Sequence, residues 1–271
     1  MTRVGARTKK SLGQHWLADP RYLARIADAA EIQPEDTVVE IGPGTGHLTK
    51  HLASRASRLI AVEKDDELAS RLAMAYAGDD GVRVVHADAL EVTPREILET
   101  TGGAGPYVVV GNLPYNVGTA IIRRFLQGKP RPRAIVATLQ AEVAERIAAK
   151  PGQMTYLSVE TQVFAEGRLL FRVPPRAFRP PPRVHSGVVR LDVRAQPVVT
   201  VEDVPSFIKL AQAGFFAPRK RLRNSLAIGL GVEAAEADRL LAEAGIDGEQ
   251  RPAMLDMDAW VALFRAYRSG A

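Results

Sequence analysis

Short apolar runs alternate with helical stretches through residues 37–149, and nothing else in the sequence restricts the fold so tightly. Thr37-Val-Val-Glu-Ile41, Arg58–Val62, Val82–Val85, Tyr107–Val110 and Ala134–Leu139 are rich in β-branched residues and bounded by turn signals. Runs of that length and composition read as buried strands. The stretch 20–33 places Leu23, Ile26, Ala27 and Ala30 at helical spacing, and 47–53, 66–77, 119–126 and 141–149 read as helices between or after the strands. Such alternation predicts an α/β fold, a parallel sheet covered by helices on both faces and doubly wound by right-handed crossovers. Ligands in such sheets bind beyond the carboxyl ends of the strands. Four segments fall there: Glu40–Gly46, Glu63–Asp65, Ala87–Leu90 and Gly111–Tyr115.

The character changes near residue 168. Residues 168–194 hold seven arginines against one acid, Asp192, together with Pro174-Pro175 and Pro180-Pro181-Pro182. Val188–Val193 reads as a late strand, 197–205 as a linker, and 206–216, 219–229, 233–244 and 257–268 as short helices. Two domains are expected, 1–198 and a small helical one at 199–271. The chain has no cysteine, which excludes disulfide frameworks, thiolate metal sites and cysteine nucleophiles. A net charge of +5 suits a polyanionic partner without demanding one. The basic N-terminus leads into no apolar stretch, and no run is long enough to span a membrane, so a soluble, cytoplasmic protein is expected.

Glu40-Ile-Gly42-Pro-Gly44-Thr-Gly46 follows the first strand. Glycines there let the backbone approach a ligand and adopt positive φ. The spacing is GxGxG with an acid two residues upstream, the pattern of S-adenosylmethionine (SAM) methyltransferases rather than the GxGxxG of NAD enzymes. Glu63 ends the second strand, 19 residues after Gly44, where an acid can accept from both ribose hydroxyls. Asp88 follows the third strand and could accept from an adenine amine. Taken singly, each has a plainer reading: a glycine-rich turn, a surface acid, a capping Asp.

Asn112-Leu113-Pro114-Tyr115 carries the most chemistry. An amide oxygen and a nearby backbone carbonyl could accept both hydrogens of an exocyclic amine, with an aromatic ring to stack on the base. Phe178-Arg-Pro-Pro-Pro-Arg-Val-His-Ser186 is stiffened by polyproline and could hold Phe178 as a second stacking face, or could be a structural connection. Arg219, Lys220, Arg221 and Arg223 suit phosphate contacts. In a continuous helix Arg219 and Arg223 would repel at i,i+4, a cost that an anionic partner would relieve. His47 and His51 have the spacing of a metal pair but lie on a helix turned from the glycine loop, and no metal is expected.

Together these segments resemble the rRNA adenine dimethyltransferase family over residues 8–268. The resemblance rests on Lys9–Leu17, Glu40–Gly46, Glu63, Asp88, Asn112–Tyr115, Glu142–Arg146, Lys150–Gly152, Phe178–Ser186 and Arg219–Leu226. Arg219–Leu226, Arg251-Pro252, Leu255 and Trp260 favour the KsgA/RsmA (small-subunit) branch over the Erm branch. Departures include His15-Trp16 for the usual Asn-Phe or His-Phe, and Gly118, Ala141 and Leu157 for Ser, Lys and Gly. The resemblance implies a Rossmann-like class I SAM-dependent methyltransferase domain with a small C-terminal helical domain. It implies dimethylation of two adjacent adenosines near the 3′ end of small-subunit rRNA, during ribosome biogenesis. Cofactor contacts carry over to His15, Leu17, Gly42, Glu63, Asp88 and Asn112, with Gln14 and Gly44 in the same pocket. The catalytic set would be Asn112, Leu113, Tyr115 and Phe178. The partner would be small-subunit rRNA or a small ribosomal subunit precursor, with no membrane and a monomeric enzyme. The alternatives are an Erm-type large-subunit rRNA enzyme and a non-catalytic RNA-binding assembly factor.

Overall fold

A computed structural model describes residues 15–103 and 105–269. The chain divides into two compact units: residues up to 145 with 168–193, and 146–167 with those from 194 onward.

The first unit is built on one sheet. Strands β2 (Thr37–Ile41), β3 (Arg58–Glu63), β4 (Val82–His86), β5 (Tyr107–Asn112) and β6 (Ala134–Gln140) lie parallel in the order β4-β3-β2-β5-β6. β9 (Ser186–Val193) pairs antiparallel with β6, and β7 (Ala165–Val173) closes the edge of this seven-stranded sheet. Helix α1 (Pro20–Ala29) precedes the sheet, and helices α2 (His47–Ala53), α3 (Asp66–Ala75), α4 (Pro94–Glu99) and α5 (Gly118–Gln127) fill the crossovers. The central strands are buried from end to end because helices cover both faces, which is why they read as unbroken apolar runs.

Local chemistry starts several of these helices. Asp65 caps α3, accepting from the amides of Glu67 and Leu68, and Thr93 with Glu96 forms a capping box for α4. A two-stranded ribbon completes the unit: β1 (Trp16–Leu17) pairs antiparallel with β8 (Phe178–Arg179).

In the second unit, α7 (Tyr156–Gln162), α8 (Val204–Gly214), α9 (Leu222–Leu230), α10 (Ala234–Glu243) and α11 (Met257–Ser269) surround Phe207, Leu226, Leu240, Trp260 and Phe264. The short helix α6 (Ala141–Ile147) runs across the boundary between the units. Two glycines permit close approach. A Cβ at Gly214 would lie 2.4 Å from the Trp260 ring, and one at Gly229 would lie 2.4 Å from the Ala213 backbone.

The units differ from a single cut at 198/199, because 146–167 packs with the later helices. The amides of Gly152 and Met154 donate to the Ala253 carbonyl at 2.8 and 3.2 Å. The expected helix 219–229 begins at Leu222 instead. Arg219 and Lys220 lie in the preceding turn, closed by the Lys220 amide on the Ala217 carbonyl, and Arg221 is the N-cap residue. The anticipated i,i+4 repulsion therefore does not arise. Strand β7 escapes the sequence pattern because it is an edge strand with charged, largely exposed positions.

Candidate functional site: a pocket at the carboxyl ends of the parallel strands

Four loops meet where β2, β3, β4 and β5 end, enclosing a cavity of about 210 Å³. His15, Gly42, Gly44, Glu63, Asp88 and Asn112 of the expected cofactor set line it, as do Leu113 and Tyr115. Gln14 lies outside the described residues. Leu17 is buried in the core beneath the ribbon rather than in the cavity wall.

The glycine loop works through two different glycines. Gly42 and Gly44 both have positive φ, +67° and +56°, in a region other side chains avoid. At Gly42 the space a Cβ would occupy is open, leaving backbone exposed to the cavity. At Gly44 a Cβ would come within 3.0 Å of the Trp16 ring, so this glycine admits a neighbouring side chain instead.

Glu63 anchors the loop. Its Oε2 accepts from the Gly44 amide and its Oε1 from the Asp65 amide, both at 2.9 Å. Each carboxylate oxygen keeps lone-pair capacity for a further donor. Two residues before Gly42, Glu40 is fully buried, and its Oε2 and the Thr49 hydroxyl have no hydrogen-bond partner among the described residues. Burial pushes the Glu40 carboxyl up to about 8; the neighbouring Thr49 hydroxyl opposes the shift and the Glu63 charge adds to it.

Asp88 accepts from the Leu90 amide at 2.9 Å and pairs with Lys64 Nζ at 2.6 Å. Burial opposes its charged form, but the Lys64 ammonium and the Leu90 amide prevail and hold the carboxyl below the usual range. It is therefore an acceptor at neutral pH, as a contact to an adenine amine requires. Lys64 lines the cavity too; its only sequence signal is its place between Glu63 and Asp65.

Asn112 ends β5. Its Nδ2 donates to the His15 carbonyl at 2.8 Å. A carbonyl can only accept, so the amide nitrogen must face His15 and Oδ1 remains the acceptor on the other side. The Leu113 amide donates to the Thr138 carbonyl at 3.1 Å, which fixes the peptide that follows. The His15 ring stacks on Tyr115 with centroids 5.9 Å apart and planes 27° from parallel. Tyr115 shares a 2.6 Å hydroxyl–hydroxyl hydrogen bond with Ser186, and burial raises its phenol above the ordinary value while that bond opposes the shift.

After Leu17, a second site expectation is corrected here. Phe178 does not face the cavity: it is fully buried in the hydrophobic cluster, paired across the ribbon with Leu17. The ring beside Tyr115 belongs to His15, whose Nδ1 is tied to the Pro180 carbonyl at 2.9 Å. Phe178 supports the ribbon that carries His15 rather than offering a face of its own.

The four basic residues expected to meet phosphate divide into two pairs. Arg223 pairs with Asp238 at 2.6 Å and reaches Glu249 at 3.4 Å, and Arg221 also pairs with Glu249. Arg219 and Lys220 are exposed and form no ion pair among the described residues. Phe216, two-thirds exposed at 66%, lies beside them in the chain.

The parallel sheet, the open Gly42 backbone and the Glu63 and Asp88 acceptors define a class I SAM-dependent methyltransferase. A family model described as ribosomal RNA adenine dimethylase matches residues 5–266, and the chain belongs to that family. It is 40% identical over 261 residues to ribosomal RNA small subunit methyltransferase A of Dehalococcoides mccartyi strain CBDB1, covering 96% of this chain and 89% of the relative. It is 41% identical over 264 residues to the protein of that name from Desulfitobacterium hafniense strain DCB-2, covering 97% and 93%. The crystal structure of the 23S rRNA methyltransferase ErmE superposes with a TM-score of 0.74 at 29% identity, covering 93% of this chain and 98% of that one. A dimethyladenosine transferase from Plasmodium falciparum gives 0.77 at 23% identity, covering 94% and 98%, and so shares the fold. Among the described residues no helix is long and apolar enough to cross a membrane.

Proposed function

We propose that this protein is a SAM-dependent rRNA adenine-N6 dimethyltransferase acting on two adjacent adenosines near the 3′ end of small-subunit rRNA. The observation that carries the reading is the commitment of Asn112 Nδ2 to the His15 carbonyl, which leaves Oδ1 as an acceptor in the cavity. Names shared by the relatives support the small subunit as the target.

When bound, the cofactor supplies an electrophilic methyl group on a sulfonium. Glu63 would hold its ribose hydroxyls, Asp88 its adenine amine, and the Gly42 backbone its amino-acid portion. Asn112 Oδ1 and the Leu113 carbonyl would accept the two hydrogens of the target amine. An adenine amine is a weak nucleophile because its lone pair delocalises into the ring. Two acceptors on its hydrogens favour a pyramidal nitrogen with the lone pair aimed at the methyl. Positioning of this kind supplies several kcal/mol, up to about 7–11 in ideal cases. No strong general base is needed, since the proton can leave to water after transfer. This suits a neutral Asn at the position.

Tyr115, backed on one side by its stack on His15, would offer its other face to the extruded base. Stacking contributes about 1–3 kcal/mol per base, against a few kcal/mol for unstacking it from the RNA. In the second unit, Arg219 and Lys220 are the phosphate contacts this reading favours, because Arg221 and Arg223 already hold carboxylates.

The test is incubation with labelled SAM and small subunits lacking native adenine methylation, followed by mapping of the label. Dimethyl label on adjacent adenosines near the 3′ end is the expected result. Label on large-subunit rRNA alone would overturn the assignment in favour of an Erm-type target. SAM binding with no label on either would leave an RNA-binding assembly role.

A further inference from the structure

Outside the cavity, one concavity of the first unit gathers arginines. Arg21, Arg176 and Arg179 line a depression of about 370 Å³ between the start of α1 and the turn before β8. Its walls are fixed by backbone: the amides of Ala18 and Asp19 both donate to the Ala177 carbonyl, at 2.9 and 3.2 Å. Arg179 Nη1 donates to the carbonyls of Arg176 and Phe178 at 3.2 and 3.1 Å, which positions the guanidinium while leaving its other donors available.

Among the described residues Asp19 is the only carboxylate in the wall, and it is already engaged. Arg21 grips it through Nε and Nη2 at 3.1 and 2.8 Å, and the Arg21 amide donates to it at 3.0 Å. The side-chain bond from Arg21 is the main cause that holds its carboxyl low, and the charge of Arg176, which lines the same depression, lowers it further. One carboxylate stands against three guanidinium groups, an excess of two positive charges. Among the described residues Arg176 and Arg179 form no ion pair. The fork-shaped donors of Arg176 and Arg179, not committed to a carboxylate among the described residues, match a phosphate group.

The position of the cup selects the source of that phosphate. Arg179 is the direct cross-strand partner of Trp16 and leaves the ribbon on the same face, while Leu17 and Phe178 fill the opposite face. Trp16 and His15 line the cavity, and the ribbon advances about 3.3 Å per residue. The cup therefore lies within one nucleotide's reach of the ring that stacks on Tyr115. We propose that Arg21, Arg176 and Arg179 bind the backbone phosphate of a nucleotide next to the extruded adenosine, a site separate from the cofactor pocket and from the basic turn of the second unit. The inference rests on the rRNA-methylating reading above.

The test is the salt dependence of binding to undermethylated small subunits, measured over a KCl series at fixed magnesium. Each phosphate contact contributes about 0.7–0.9 to the slope of log affinity against log salt. Arg176→Ala/Arg179→Ala should reduce that slope by up to about 0.7–0.9 and weaken binding about tenfold at low salt, with the Kd for SAM unchanged. Arg176→Lys/Arg179→Lys should restore most of the slope, because it keeps the charges. An unchanged slope in the alanine variant would overturn the site. So would a parallel loss of SAM affinity, which would mean a damaged fold. Failure of the unaltered protein to methylate small subunits would be seen before any variant, and would remove the functional reading and the cup together.

Discussion

On one side of the pocket, Glu63 ties the glycine loop to the end of its own strand through the amides of Gly44 and Asp65, 19 and 2 positions away. On the other side, Asn112 is held by His15 across 97 positions and Tyr115 by Ser186 across 71. The proposed cofactor half is assembled from local strand–loop–helix grammar. The proposed substrate half depends on two distant segments, the ribbon before α1 and the start of β9. A pocket built this way can lose its substrate geometry while keeping its cofactor geometry, and substitutions on the two sides should give different kinetic signatures.

The largest separation is expected at Asn112. Asn112→Ala removes an acceptor from the proposed amine site together with the bond to the His15 carbonyl. Loss of one preorganised polar contact at a reacting centre costs about 100–1,000-fold in kcat. The Kd for SAM, read by calorimetry, should change only a few-fold. Equal losses in turnover and SAM affinity would show that the two halves are not separable.

Glu63 should show the opposite pattern. Glu63→Gln puts an amide NH2 against one of two backbone N–H donors, Gly44 or Asp65, so one bond must become a donor–donor clash. Hydrogen bonds to a charged group contribute about 1.5–3 kcal/mol, so SAM binding should weaken about 10- to 100-fold. The kcat at saturating SAM should fall much less. A variant with intact SAM affinity would remove Glu63 from the cofactor site.

Glu40 concerns stability rather than catalysis. Its carboxyl is raised to about 8 by burial, so the fold keeps it protonated where the unfolded chain, with an ordinary glutamate, ionises. Between about pH 4.5 and 8 the native state binds the extra proton, and stability contributed here falls as pH rises through that window. Glu40→Gln removes the titration while keeping the shape. The midpoint of thermal unfolding at pH 8 should then rise by several degrees relative to the unaltered protein, with a smaller difference at pH 5. An identical pH dependence in both proteins would place the ionisation elsewhere.

The same division decides what the sequence made legible. The parallel strands, the glycine loop, Glu63, Asp88 and Asn112–Tyr115 could all be located, because each lies directly after a buried strand whose composition marks it. The β1–β8 ribbon could not be read, since two-residue strands carry no periodicity, and neither could the pairing that brings His15 to Tyr115. Phe178 is the instructive case. Its place in a stiff proline-rich loop suggested an exposed ring, but the register opposite Leu17 turns it into the core. The split of the basic run is similar: Asp238 and Glu249, which neutralise Arg221 and Arg223, stand 15 to 28 positions further along the chain. Long-range partners decide such cases, and a linear pattern does not contain them.

The smallest effect probes the long-range half most directly. Ser186 is buried, and its hydroxyl is the partner of the Tyr115 hydroxyl at 2.6 Å. If that bond sets the plane of the stacking ring, Ser186→Ala and Tyr115→Phe each remove the same interaction. A single neutral hydrogen bond contributes about 0.5–1.5 kcal/mol, so each should lower kcat/KM for small subunits about two- to tenfold. The double variant should be no worse than either alone, because the second change has nothing left to break. The Kd for SAM should stay constant throughout, as the bond lies on the substrate side. Additive losses in the double variant would mean that Ser186 and Tyr115 act independently. The ring would then be held by its stack on His15 and by packing, and the distant start of β9 would have no part in orienting the base.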